Sequence, residues 1–146
     1  MRCQEKARTL TASREDGIVA LEFVILFPLI LILLVGIMEF GHLFYVRHTL
    51  TNASREGARA AVMFHSPASE RMSWAQDQAT TAVNNYLNNK LPGVTWTVPT
   101  PVVSGSTTGS TVQVTVTATN AALILGEIIT DFKTISVSAQ TTMKME

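Results

Sequence analysis

Apolar residues crowd into one block near the start of the chain and then thin into two different rhythms. From Ile18 to Met38 the sequence reads Ile-Val-Ala-Leu-Glu-Phe-Val-Ile-Leu-Phe-Pro-Leu-Ile-Leu-Ile-Leu-Leu-Val-Gly-Ile-Met, and Glu22 is the one charge in it. As a helix, residues 18–38 would extend roughly 31 Å at about 1.5 Å per residue, matching a hydrocarbon core of about 30 Å. The pattern predicts a transmembrane helix. The alternative, a buried core helix, would leave a small protein with a helix apolar on every face. The run is too long for a cleaved secretory signal, and Gly36-Ile37-Met38-Glu39-Phe40 lacks the small-residue cleavage pattern such signals carry.

Beyond the block, Phe40, Leu43, Phe44, Leu50, Ala53, Gly57, Ala61 and Phe64 recur at three- and four-residue steps, with no proline between Pro28 and Pro67. The helix is therefore expected to continue to about residue 64. Pro28 removes one backbone hydrogen bond and is expected to bend it. Ala53, Gly57 and Ala61 put small side chains four apart on one face. Such spacing suits close approach by a helix or sheet, either of a partner or of the chain's own domain. Ser66-Pro67 suits a helix start, and Ser73-Trp74-Ala75-Gln76 fits a capping box. A second helix follows on the stripe Ala75, Ala79, Ala82, Val83, Tyr86 and Leu87, closed by Asn88-Asn89-Lys90-Leu91-Pro92-Gly93.

The period then changes to two. Val94, Trp96 and Val98, then Val112 to Ala118, then Ile135 to Met143 each alternate with polar residues, as half-buried strands do. The expected fold class is α+β. A long N-terminal helix spans a membrane with its first half, and a second helix packs on a small antiparallel three-stranded sheet. The expected segments are a leader at 1–17, the span at 18–38, a helical continuation at 39–64 and an exported α+β head at 65–146. The spacers 99–110 and 120–133 join the strands, the second with an apolar patch at Ala121-Ala122-Leu123-Ile124-Leu125.

Charge adds direction. The 146 residues carry 11 basic and 11 acidic side chains, a net charge of zero, so a nucleic-acid binder is disfavoured. Arg2, Lys6, Arg8 and Arg14 precede the span, whereas Arg47 alone is basic in the fifteen or so positions after it. That asymmetry predicts a cytoplasmic N-terminus and an exported C-terminus. Cys3 then lies on the reducing side, and no disulfide framework is possible. His42, His48 and His65 have no metal-ligand spacing, and no phosphate loop or nucleophile elbow occurs. No catalytic residue, metal or cofactor is assigned, and the protein is not expected to be an enzyme.

Glu22 is the candidate with the sharpest chemistry, because a carboxylate in an apolar run needs a partner. It either reaches water at the interface, takes up a proton, or meets a cation from another chain. If the chain were cut after Gly17, Ile18 would carry an α-amine of pKa roughly 7.7–8.0, and Glu22 would be the fifth residue. A neighbouring subunit could then present that amine to Glu22. Farther on, Glu56 and Arg59 are spaced to pair, while Arg55 and Arg59 repel mildly. The three residues form either a partner contact or a solvated face.

Gly17-Ile18-Val19-Ala20-Leu21-Glu22-Phe23 resembles a type IV prepilin processing site. With Pro28, Gly36-Ile37-Met38-Glu39-Phe40-Gly41 and Thr51-Asn52-Ala53-Ser54-Arg55-Glu56-Gly57-Ala58-Arg59, the stretch resembles the TadE-like pseudopilins of the tight-adherence (Tad, or Flp) branch of type IVb pili. The resemblance implies cleavage between Gly17 and Ile18 by a prepilin peptidase at the inner membrane. It also implies a minor-pilin role in pilus assembly and adhesion, other pilins and the assembly machinery as partners, contact with membrane lipid, and no cofactor. Two rivals remain at this point: an unprocessed single-pass binding module, and an exported hydrolase on a membrane anchor.

Overall fold

The computed structural model describes residues 2–63, 70–88, 90–91, 93–105, 109–119, 121–122, 124 and 135–145, with residues 2–16 described by backbone alone. The elements are α1 (Arg2–Ala61), α2 (Arg71–Asn88), β1 (Thr95–Thr97), β2 (Val102–Val103), β3 (Thr111–Thr119) and β4 (Val137–Lys144). They divide into two compact units, residues 1–38 and residues 39–146.

The first unit is the start of α1. Its helix runs unbroken through Pro28. From residue 17 to 38 every residue is exposed except the half-buried Val35. The helix satisfies its backbone hydrogen bonds internally, and leucines and isoleucines at every azimuth offer no polar side for water. This is a helix long and apolar enough to cross a membrane.

The second unit has a single core. Val46, Leu50, Ala53, Ala58 and Ala61 of α1 meet Ala75, Ala79, Val83 and Leu87 of α2 and Val112, Val114, Val116 and Ala118 of β3. The α2 positions recur every four residues, so one stripe of the helix is buried. The β3 positions alternate, so one face of the strand is buried and the other stays half-exposed. Among the described residues, every buried side-chain nitrogen or oxygen has a hydrogen-bond partner.

The sheet is antiparallel and has four strands where the alternation predicted three. β4 pairs with β3 from Thr111↔Lys144 to Ala118↔Val137. The opposite edge of β3 is shared: β1 occupies Thr117 to Thr119, and β2 occupies Val112 and Gln113. β2 lies inside the expected spacer. Pro99 and Pro101 stand between β1 and β2, and proline has no N–H for a ladder, so the edge strand is split into two short pieces. Ser104 extends the β2 side, donating its N–H to the Thr111 carbonyl at 2.9 Å and accepting the Thr111 N–H on its hydroxyl at 2.7 Å.

Other boundaries also moved. α1 ends at Ala61, and Phe64 lies outside the described residues, as do His65, Ser66 and Pro67. α2 begins at Arg71, so Ser73 sits inside the first turn and is no capping residue. Its hydroxyl donates to the Glu70 carbonyl at 3.0 Å, while Gln76 Nε2 donates to the Pro101 carbonyl at 3.0 Å. The expected capping box is therefore spent elsewhere: Ser73 ties down the turn before α2, and Gln76 ties α2 to the proline segment. Gly93, with φ +83°, makes the turn after Leu91 that only a residue without Cβ enters cheaply. In the patch expected after β3, Ala121 is fully buried and Ile124 half-buried, so part of that patch belongs to the core.

Candidate functional site

All residues singled out for assembly lie on α1, in two stretches with different surroundings. Gly17, Ile18 and Glu22 belong to the first unit and are exposed. A Cβ at Gly17 would meet nothing within 4 Å. A helical glycine costs about 1 kcal/mol relative to alanine, and packing within the chain does not repay that cost here. Glu22 stands among exposed Ile18, Leu21, Phe23 and Leu26. The sequence has no lysine or arginine between Arg14 and Arg47, so no such side chain stands within one turn of Glu22 on the helix. Phe23 and Phe27, one turn apart, pack with ring centroids 5.5 Å apart and planes tilted by 30°.

Ala53, Gly57 and Ala61 lie in the second unit, and all three are buried. A methyl group at Gly57 would come within 2.6 Å of Val83 Cγ2, 3.0 Å of the Ala79 carbonyl oxygen and 3.4 Å of Val114 Cγ1. Of the two readings open in the sequence, the structure therefore assigns this face to the chain's own α2 and β3. Next to it, the Ser54 hydroxyl lies 2.9 Å from the Thr51 carbonyl and 2.7 Å from the Thr141 hydroxyl, joining α1 to β4. Arg55, Glu56 and Arg59 point the other way and are exposed. They leave a charged ridge on the side of α1 that the core does not use.

Two residues matter more than their sequence context suggested. Glu39 is 3% exposed, and its Oε2 accepts the Ile124 N–H at 2.9 Å. This buried carboxylate thus anchors the segment that follows β3. Tyr45 donates its hydroxyl to the Lys90 carbonyl at 3.0 Å, tying α1 to the end of α2. The signal for Glu39 was present: Glu39, Leu43, Val46, Leu50, Ala53 and Gly57 follow three- and four-residue steps. Phe40 and Phe44 fall off that face, and both are exposed.

His42 is half-buried, and His48 is exposed with Nδ1 3.0 Å from Asn52 Nδ2. Among the described residues, no group of three or more His, Cys, Asp or Glu converges as a metal site would. Comparison with known proteins adds one finding: residues 17–59 match the family model described as TadE-like protein. The matched stretch begins at the glycine of the candidate processing site and ends at Arg59, in agreement with the resemblance read from the residues. It points to a membrane-anchored protein associated with a Tad pilus. No curated protein and no solved structure matches the chain.

Proposed function

We propose that this chain is a pilin-like assembly subunit of a Tad/Flp-type pilus. It is anchored in the inner membrane by residues 18–38 with its N-terminus cytoplasmic, and it supports pilus biogenesis and adhesion. Its role is structural rather than catalytic. The observation that carries the reading is the stretch of α1 from Gly17 to Met38, apolar and exposed apart from half-buried Val35, with Glu22 as its single carboxylate. A glycine with empty space around it suits a peptidase that needs a small residue before the scissile bond. Cleavage there would free the Ile18 amine. In a side-by-side array of such helices, Glu22 would neutralise the amine of a neighbour, and a misregistered neighbour would leave both charges in lipid. The pair sets the axial register, and the apolar surface supplies contact area. The exposed ridge of Arg55, Glu56 and Arg59 supplies polar contacts to neighbouring pilins or assembly proteins.

Mass spectrometry of the protein extracted from membranes of cells with an active prepilin peptidase is expected to find Ile18 as the N-terminus. An intact leader under those conditions refutes processing and leaves the unprocessed binding module. Glu22→Ala is expected to insert normally and to abolish or sharply reduce assembly. Normal assembly by that variant removes the register role.

A further inference from the structure

One groove in the second unit is unused by the assembly reading. Phe40, Leu43, Phe44 and Arg47 of α1 and residues Ser136, Val137 and Ser138 at the start of β4 enclose about 430 Å³. Its lining combines two chemistries. Phe40 and Phe44 meet edge to face with centroids 4.9 Å apart, yet remain 63% and 59% exposed. Arg47, Ser136 and Ser138 are exposed donors on the same rim. No Asp or Glu occurs between Phe40 and Arg55, and the Glu39 carboxylate is buried on the Ile124 N–H. That part of the helix therefore offers the Arg47 guanidinium no exposed carboxylate.

The complementary ligand has an anionic head with several acceptor oxygens and a hydrocarbon body beside it. The forked guanidinium suits phosphate oxygens, serine hydroxyls suit the remaining acceptors, and exposed rings suit acyl chain or glycerol. A phospholipid carries all of these. Chain connectivity favours the same occupant. Phe40 follows Met38, the last residue of the apolar run, by two positions and Arg47 by nine. An arginine at that distance from the apolar run can lay its aliphatic stem on apolar surface and keep its guanidinium at the level of headgroups.

We infer that this groove holds the headgroup of one membrane phospholipid, with Arg47 on the phosphate and Phe40 and Phe44 against the apolar part. The inference rests on residues 18–38 being a membrane anchor, and not on processing or on entry into a filament.

The test uses the full chain reconstituted in vesicles of phosphatidylethanolamine and phosphatidylglycerol. Flotation reports anchoring; native mass spectrometry after mild detergent extraction counts retained lipid. The intact chain is expected to float and to keep one phosphatidylglycerol. Arg47→Ala is expected to float equally and to lower that occupancy about fivefold, the weight of one basic residue near an anionic surface. Phe44→Ala is expected to lower it as well. Lys144→Ala, an exposed cation roughly 20 Å along β4 from Ser138, is expected to keep the lipid. Equal retention by the intact chain and Arg47→Ala overturns the inference. So does equal loss in Lys144→Ala, which would mean diffuse charge attraction, or displacement by millimolar inorganic phosphate, which would mean a site for free anions. Failure of the intact chain to float removes the anchor itself; flotation without selective lipid retention removes the groove alone.

Discussion

The two stretches of α1 are built from similar residues and live in opposite surroundings. From Ile18 to Met38 the helix buries none of its leucines and isoleucines. From Val46 to Ala61 it buries one whole face and leaves the opposite one to solvent. Glycine marks the contrast most clearly. Gly17, Gly36 and Gly41 would each accept a Cβ without touching anything, whereas Gly57 sits where the Val83 side chain and the Ala79 carbonyl leave no room for one. Small residues in the second stretch serve a finished core. Apolar residues in the first have no core to serve, and their free energy is recovered only in lipid or against other helices.

Substitutions can break or sharpen that contrast. The largest difference is expected between two leucines. Leu50→Ala leaves a cavity among α1, α2 and β3 and should destabilise the second unit by about 2–5 kcal/mol. Leu33→Ala, at a position 60% exposed, should leave that stability unchanged. Denaturant titration of the full chain in detergent, followed through Trp74 and Trp96 fluorescence, measures both; an equal loss would dissolve the distinction between the stretches. A smaller effect separates two glycines. Gly57→Ala forces its methyl against Val83 and the Ala79 carbonyl and should cost about 1–3 kcal/mol. Gly17→Ala should leave unfolding of the second unit untouched and slow the proposed cleavage before Ile18. An unaffected Gly57→Ala would mean that α2 withdraws from α1 at no cost. The smallest effect belongs to Ser54→Ala, which removes the Thr141 and Thr51 contacts and should cost about 1 kcal/mol in the same titration.

Much of this architecture is legible in the residues alone. The long apolar helix, exposed from Gly17 to Met38 apart from half-buried Val35, follows from a run of that length with one charge. β3 follows from the strict alternation Val112, Val114, Val116 and Ala118, because a strand with one buried face cannot hide its period. The stripe Ala75, Ala79, Val83 and Leu87 gave α2 for the same kind of reason. The misses have physical causes too. β2 is two residues long, too short for any period to register, and exists because β3 had an unfilled edge beyond the prolines. Ser73 and Gln76 match a capping box locally, but the turn at Glu70 and the Pro101 carbonyl compete for the same side chains and win. Glu39 carried a readable spacing, but the partner that lets its carboxylate be buried, the Ile124 N–H, lies 85 residues away.

The sequence by itself determined what kind of solvent each segment needs. Hydropathy and period are local properties, and they separate a lipid-compatible helix from an amphipathic one and from half-buried strands. The Gly17–Glu22 spacing is likewise a local fact, and the match over residues 17–59 rests on the same stretch. Tertiary structure alone decided which surfaces are already taken. Ala53, Gly57 and Ala61 had two candidate occupants, and only the placement of Val83 and Val114 assigned them to the core. Phe40 and Phe44 share the periodicity of buried neighbours, and only the seating of α1 on α2 and β3 turned them outward. The reason is geometric: a helix presents several faces at nearly the same spacing, and the face that is buried depends on neighbours dozens of residues away.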